Sequence, residues 1–190
     1  MERKEQLSSA LRKIFWAYIF LYFNINLGTI DILPSWVAFI MFSSAIDNGI
    51  AKEEASAELL KPITMLLGIY YFITWILAMF GITSGLFLIS EAATVIALYF
   101  HFQLLTNLAN IARKYGCEQE KGLLNLRTVQ TILMTILAFT VHFEEIYWLS
   151  LTLVVIQVII MICICYVLSK FRHAIEELSD DVFHERNIDI

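Results

Sequence analysis

Residues 62–90 read PITMLLGIYYFITWILAMFGITSGLFLIS and, after the single acid Glu91, residues 92–112 continue AATVIALYFHFQLLTNLANIA. One charge in this whole stretch decides the fold class. As a single helix rising ~1.5 Å per residue it would reach about twice the ~30 Å hydrocarbon thickness of a bilayer, so it must fold back on itself. The segment Gly81-Ile82-Thr83-Ser84-Gly85 is flexible and partly polar and is the natural place to turn. The stretch therefore reads as a helical hairpin.

Working outward, the chain repeats this pattern. Further charge-free runs cover 14–30, 32–46, 128–143 and 146–169. The first pair breaks at Asp31-Ile32-Leu33-Pro34-Ser35-Trp36, where Pro34 is tolerated in the first turn of a new helix, and the last pair breaks around His142–Tyr147. The expectation is an all-α integral membrane bundle of six transmembrane helices arranged as three helical hairpins. The spans fall at about 14–30, 32–48, 62–80, 84–112, 126–143 and 146–169. They are preceded by a short N-terminal segment, 1–13, and followed by a tail, 170–190. Composition agrees: of 190 residues 59% are hydrophobic and 16% charged, whereas soluble domains carry about 25% charged residues. Three cysteines cannot staple a chain of this size, and Cys163 and Cys165, two apart on one helix, point nearly opposite ways. The net charge of −5 says little about partners, but a nucleic-acid role has no basic patch to rest on.

All 13 Lys and Arg residues fall at one side of the expected hairpins, before the first, between successive ones and after the last. The positive-inside rule makes that side cytoplasmic, with both termini there and the three hairpin tips outside. Trp16, Trp36, Tyr147 and Trp148 fit aromatic belts at the two interfaces. No A-x-A-like site follows residues 14–30, so the first span is expected to be retained. Residues 51–60 are strong helix formers and predict a short helix before Pro62. Residues 115–122 read as a solvated loop. The tail repeats Phe171, Ile175, Leu178 and Val182 at helical spacing, which suits either a partner or, more simply, the protein's own cytoplasmic face.

Polar groups inside the membrane are costly and are the default functional candidates. Glu91 stands out, about 9 Å below the outer tip, with no basic residue expected at its depth. On the same helix, Ser84, Ser90, Thr94 and His101 fall within about a third of the circumference that includes Glu91. Gln103, Asn107 and Asn110 form a second polar face, and Thr128, Thr131, Thr135, His142 and Glu145 form a stripe on the fifth helix, for which close packing is the simpler reading. Asn24, Gly28 and Asp31 repeat near the outer end of the first. With the hairpins side by side, Glu91, His101, His142, Glu145, Asp31 and Asn24 form the candidate ligand- or ion-binding set. Such a set prefers a proton, a cation or a small polar solute. No cofactor, metal site or catalytic group is expected, since Ser84 lacks a Gly-x-Ser-Gly context and a helix-borne base, and Glu144-Glu145 is followed by Leu149 where a metalloprotease-type motif would place arginine.

Residues 21–36, LYFNINLGTIDILPSW, resemble a stretch of small multi-pass membrane proteins of Gram-positive bacteria that have no assigned activity, which implies a bacterial plasma membrane. In size and layout the chain also loosely resembles the substrate-capturing subunits of energy-coupling-factor transporters. The Ala-x-x-x-Ala docking motif of that family is absent, Ala10 and Ala17 being seven apart. The functional expectation is a small permease or the membrane subunit of a transporter. The alternative is a non-catalytic accessory or assembly protein that docks a membrane partner, or a second copy, through its spans and tail.

Overall fold

A computed structural model describes residues 2–22, 26–27, 30–31, 34–82, 87–140, 147–178 and 183, with side chains for all but 2, 26–27, 30–31, 87–88, 139–140 and 147–150. The described chain is helical: α1 (Glu2–Tyr22), α2 (Ser35–Ala45), a π-helical turn (Ile46–Ile50), the one-turn α3 (Ala51–Glu53), a 3-10 turn (Ala55–Leu59), α4 (Leu60–Met79), α5 (Phe87–Lys114), α6 (Gln119–Thr140) and α7 (Tyr147–Glu177). Among the described residues the one strand pairing is a two-residue antiparallel pair between α1 and α2, with Asn26 opposite Asp31 and Leu27 opposite Ile30.

The long helices close a ring: α1 packs on α2 and α7, α2 on α4, α4 on α5, α5 on α6 and α6 on α7. Tyr18, Phe39, Phe42, Phe100 and Leu104 fill its centre, and all are buried. Among the described residues, three helices are long and apolar enough to cross a membrane: Ala55–Met79, Ile89–Lys114 and Leu151–Glu177. Their outward faces are strongly apolar. Met65, Leu66 and Ile69 on α4, Val95 on α5, and Val154 and Ile159 on α7 are about half exposed or more, a surface that water does not tolerate over such an area. The other three helices lie in the expected order, but each falls short as described. α1 spends its first half on the charged segment, α2 is 11 residues long, and α6 carries Glu120, Lys121 and Arg127 in its first half.

Two connections show why these residues turn where they do. α4 ends with Gly81 at φ +70°; its N–H donates to Ala78 O at 3.0 Å and the Ile82 N–H reaches back to Leu77 O at 3.0 Å. α5 ends the same way, with Gly116 at φ +65°, Gly116 N–H to Arg113 O at 3.0 Å and Cys117 N–H to Ala112 O at 2.8 Å. Both are Schellman caps, in which only glycine takes the left-handed position without a Cβ penalty. The expected solvated loop at 115–122 is consequently a tight helix-to-helix turn, and α6 is under way by Gln119. Gly81 thus serves the turn, and nothing lies within 4 Å of its Cβ position; Gly85 and Ser84 lie outside the described residues.

The expected single helix at 51–60 is replaced by pieces. Glu54 is extended, at φ −139° and ψ 104°, and separates α3 from the 3-10 turn. The π-turn before it carries Gly49 against α1, where a Cβ would come 2.5 Å from Ala10 Cβ and 3.0 Å from Gln6 O. Since Gln6 O is backbone, α1 and the π-turn would have to separate to admit a methyl group. Gly49→Ala should therefore destabilise the folded state by about 1–3 kcal/mol, an overpacking cost. Thermal unfolding in detergent checks this: the midpoint should fall, and Ala10→Gly in the same chain should recover part of the loss.

Candidate functional site

Two polar assemblies lie inside the ring, and the first gathers one end of it. Glu53, whose side chain is 1% exposed, lies between Arg3 Nε at 2.8 Å and Lys114 Nζ at 3.0 Å, and the Tyr115 hydroxyl donates to its Oε2 at 2.6 Å. Tyr115 in turn stacks on Phe183, ring centroids 4.6 Å apart. Around this carboxylate, Lys52 Nζ donates to Gln6 Oε1 at 2.8 Å, Ser8 Oγ to Glu176 Oε1 at 2.6 Å, and Lys4 Nζ to the Leu178 carbonyl. The N-terminus of α1, the α2–α4 connection, the α5–α6 turn and the end of α7 therefore form one charged layer. The tail belongs to it: Phe171, Ile175 and Phe183 are buried and Leu178 is packed on the core, so its apolar face is occupied by the chain itself.

The second assembly lies among the apolar helices. The Tyr18 hydroxyl on α1 and His101 Nδ1 on α5 are 3.3 Å apart, and the imidazole is enclosed by the rings of Phe42, Phe100, Tyr18 and Tyr22 at 5.2–6.3 Å. Tyr22, stacked one turn beyond Tyr18, accepts from Gln130 Nε2 on α6 at 3.0 Å. Gln157 on α7 approaches the same hydroxyl without a well-formed hydrogen bond. His101, Gln130 and Gln157 are all buried. Gln130 Oε1 and both polar atoms of the Gln157 amide have no hydrogen-bond partner among the described residues. Each such buried orphan costs about 1–3 kcal/mol, and three of them meet in this seam.

The candidate residues are dispersed relative to this seam. His101 is at its centre. Glu91 is half-buried on α5 and makes no hydrogen bond or ion pair among the described residues. The ten-position separation puts it about 15 Å away along the helix. Asp31 pairs through its backbone with Asn26, its side chain lying outside the described residues, as do Asn24, His142 and Glu145 entirely. The N-cap position of α2 is held by Pro34.

The other polar stripes have local roles. Thr128, Thr131 and Thr135 each donate to the carbonyl four residues back, with Thr128 and Thr135 facing outward. Asn107 Oδ1 accepts from Gln103 Nε2 at 2.9 Å and from Ser56 Oγ at 3.0 Å, which ties the 3-10 turn to α5. Arg127 lies two turns inside α6, its Nη1 donating to Thr106 Oγ1 at 3.2 Å and its guanidinium 4.7 Å over the Phe102 ring. Arg127, which the sequence count set between the second and third hairpins at the edge of the expected 126–143 span, is thus well inside a helix.

Sequence reasoning missed Glu53, Tyr18, Tyr22, Gln130 and Gln157. Gln157 had a signal, as the lone amide of the run 146–169. Glu53 had none, since Lys52-Glu53-Glu54 reads as a solvated charged segment. Glu53→Ala would leave Lys114 and Tyr115 without their buried acceptor, and loss of one member of a buried ion pair costs about 3–5 kcal/mol. Arg3→Ala, removing a side chain that is 45% exposed, should cost under about 1 kcal/mol. Detergent unfolding midpoints of the two variants should separate accordingly, and equal losses would contradict the burial argument.

No protein-family model, curated protein or solved structure matches this chain.

Proposed function

We propose that the chain is a multi-pass membrane protein, crossing six times with the charged layer and both termini in the cytoplasm, and that the seam of Tyr18, Tyr22, His101, Gln130 and Gln157 is where a small polar solute is bound and passed. The observation that carries this reading is the set of unpaired amide atoms of Gln130 and Gln157 beside Tyr22. A buried amide offers both a donor and an acceptor, and evolution has an apolar alternative at any position that needs only to fill space. Amide, phenol and imidazole together suit a neutral polar solute or a proton better than a bare metal cation, which takes carboxylate or carbonyl oxygens. Glu91 is the protonatable approach to the seam, and Asp31, Asn24, His142 and Glu145, which sequence order alone assigns to the outer half, extend it. This describes a small permease or the membrane subunit of a transporter.

One observation favours the accessory-protein reading. The crevice beside the seam, lined by Leu98, His101, Phe102, Arg127, Gln130 and Met134, has no room for a water molecule. A permease in this conformation is closed and must open to work.

Proteoliposomes separate the two. With glycerol and urea followed by light scattering and protons by an entrapped dye, the native chain should conduct at least one probe. Gln157→Leu, with an unchanged melting profile, should lower that flux ~10-fold or more, about 1.4 kcal/mol of barrier. Glu91→Gln should lower proton flux selectively. Flux no higher than in protein-free vesicles, with a stoichiometric membrane protein retained on purification, would support the accessory reading instead.

A further inference from the structure

Between α2 and α4 runs an outward-opening groove of about 960 Å³, at the upper end of the range for sites that take a whole small molecule. Its shaft is apolar, with Ile40, Met65 and Ile69 along it and Trp36 and Phe72 at the far end. These side chains point outward: Ile40 is 57%, Met65 68% and Ile69 48% exposed. Gly68 keeps the floor low, its Cβ position 3.5 Å from Phe39 Cβ. The near end is polar, formed by Ser43, Ser44, Asp47, Asn48 and Lys61, and it lies where α4 leaves the charged layer. From Lys61 to Phe72 along α4 is about 16 Å, the depth of one leaflet of a ~30 Å hydrocarbon core.

We infer that this groove holds one phospholipid of the leaflet adjoining the charged layer, and that its headgroup is of the phosphoethanolamine class. The inference rests on the membrane-spanning part of the proposed function and is independent of transport. An apolar shaft one leaflet long with a polar mouth at one end has the shape of a lipid chain below its head. The mouth selects the head. Lys61 Nζ lies 3.1 Å from Asp47 Oδ1 and 3.5 Å from Glu58 Oε1, so one cation is balanced by two acids. A phosphate can accept from the Lys61 ammonium while the lipid's own ammonium donates to Asp47, adding a second cation to a mouth that holds two acids. An anionic glycerol headgroup can also offer its phosphate to Lys61 but brings no cation of its own to face Asp47 and Glu58. A choline headgroup carries the positive charge but has no N–H to donate. Asn48, which bonds to the Ser44 carbonyl at 2.8 Å, and Lys13, whose Nζ donates to Ser44 Oγ at 2.8 Å, hold the mouth in place from behind.

Delipidated protein in mild detergent, titrated with chain-matched phosphatidylethanolamine, phosphatidylglycerol and phosphatidylcholine and read by native mass spectrometry, tests this. The native chain should bind one ethanolamine lipid ~10-fold more tightly than either competitor. Asp47→Asn should abolish the preference over choline while leaving binding itself. Ile69→Trp alters an exposed residue in the shaft, so the fold is retained, and should remove the first bound lipid of any class. Ile159→Trp, on the exposed face of α7, should change nothing. Equal retention of all three lipids by the native chain, or an unaltered first adduct in Ile69→Trp, overturns the site. A chain that stays dispersed without detergent and binds no lipid would instead sink the membrane reading itself, so the two failures are distinguishable.

Discussion

A carboxylate buried between two cations and a phenol holds one end of this protein together. Glu53 draws Arg3 from the start of α1, Lys114 from the end of α5 and Tyr115 from the α5–α6 turn onto two oxygens. An ion this buried is tolerable only when its partners are all present. The α2–α4 connection must therefore bring it to them, and the chain does so by abandoning a regular helix. The π-turn, the single turn of α3 and the extended Glu54 aim Glu53 inward, and Gly49 lets that irregular segment lie directly on α1. Phe183, stacked on Tyr115, folds the tail into the same layer.

With its charges concentrated there, the rest of the ring is free to be apolar on both faces. That freedom is used outwardly, where α4, α5 and α7 expose isoleucine, valine and methionine, and it makes each polar group inside conspicuous. The Tyr18–His101 pair and the Tyr22–Gln130 bond join α1 to α5 and α6, while Gln157 brings α7 to the same point without a full set of partners. A purely structural seam can be made of satisfied groups. One with spare donors and acceptors has capacity for something else, and this links the packing of the bundle to the proposed passage of a polar solute.

Much of the fold was legible because it follows from hydrophobic length and from glycine. The runs 62–90 and 92–112 become α4 and α5, turning at Gly81, and the basic segments do meet at one end, Lys4 bonding to the Leu178 carbonyl. What was not legible depended on tertiary register. Lys52-Glu53-Glu54 looks solvated in sequence, yet one of its acids is at the centre of the charged layer. Arg127 stood at the edge of the expected 126–143 span, but α6 begins at Gln119 and carries it two turns into the helix. Helical phase puts Glu91 and His101 within a third of the helix circumference, but a separation of ten positions along the axis keeps them from sharing one site. The functional weight of Gln130 and Gln157 came from which helices neighbour one another, a fact that no single-helix pattern contains.

The proposed topology puts the charged layer and the Gly81 turn on opposite sides of a bilayer. In a chain with Cys117, Cys163 and Cys165 replaced by alanine, single cysteines at exposed Lys121 and exposed Ile82 report this through a membrane-impermeant maleimide applied to intact cells and then to permeabilised ones. The account predicts that Ile82→Cys is labelled in intact cells and Lys121→Cys only after permeabilisation. Labelling of both positions from the same side would contradict it.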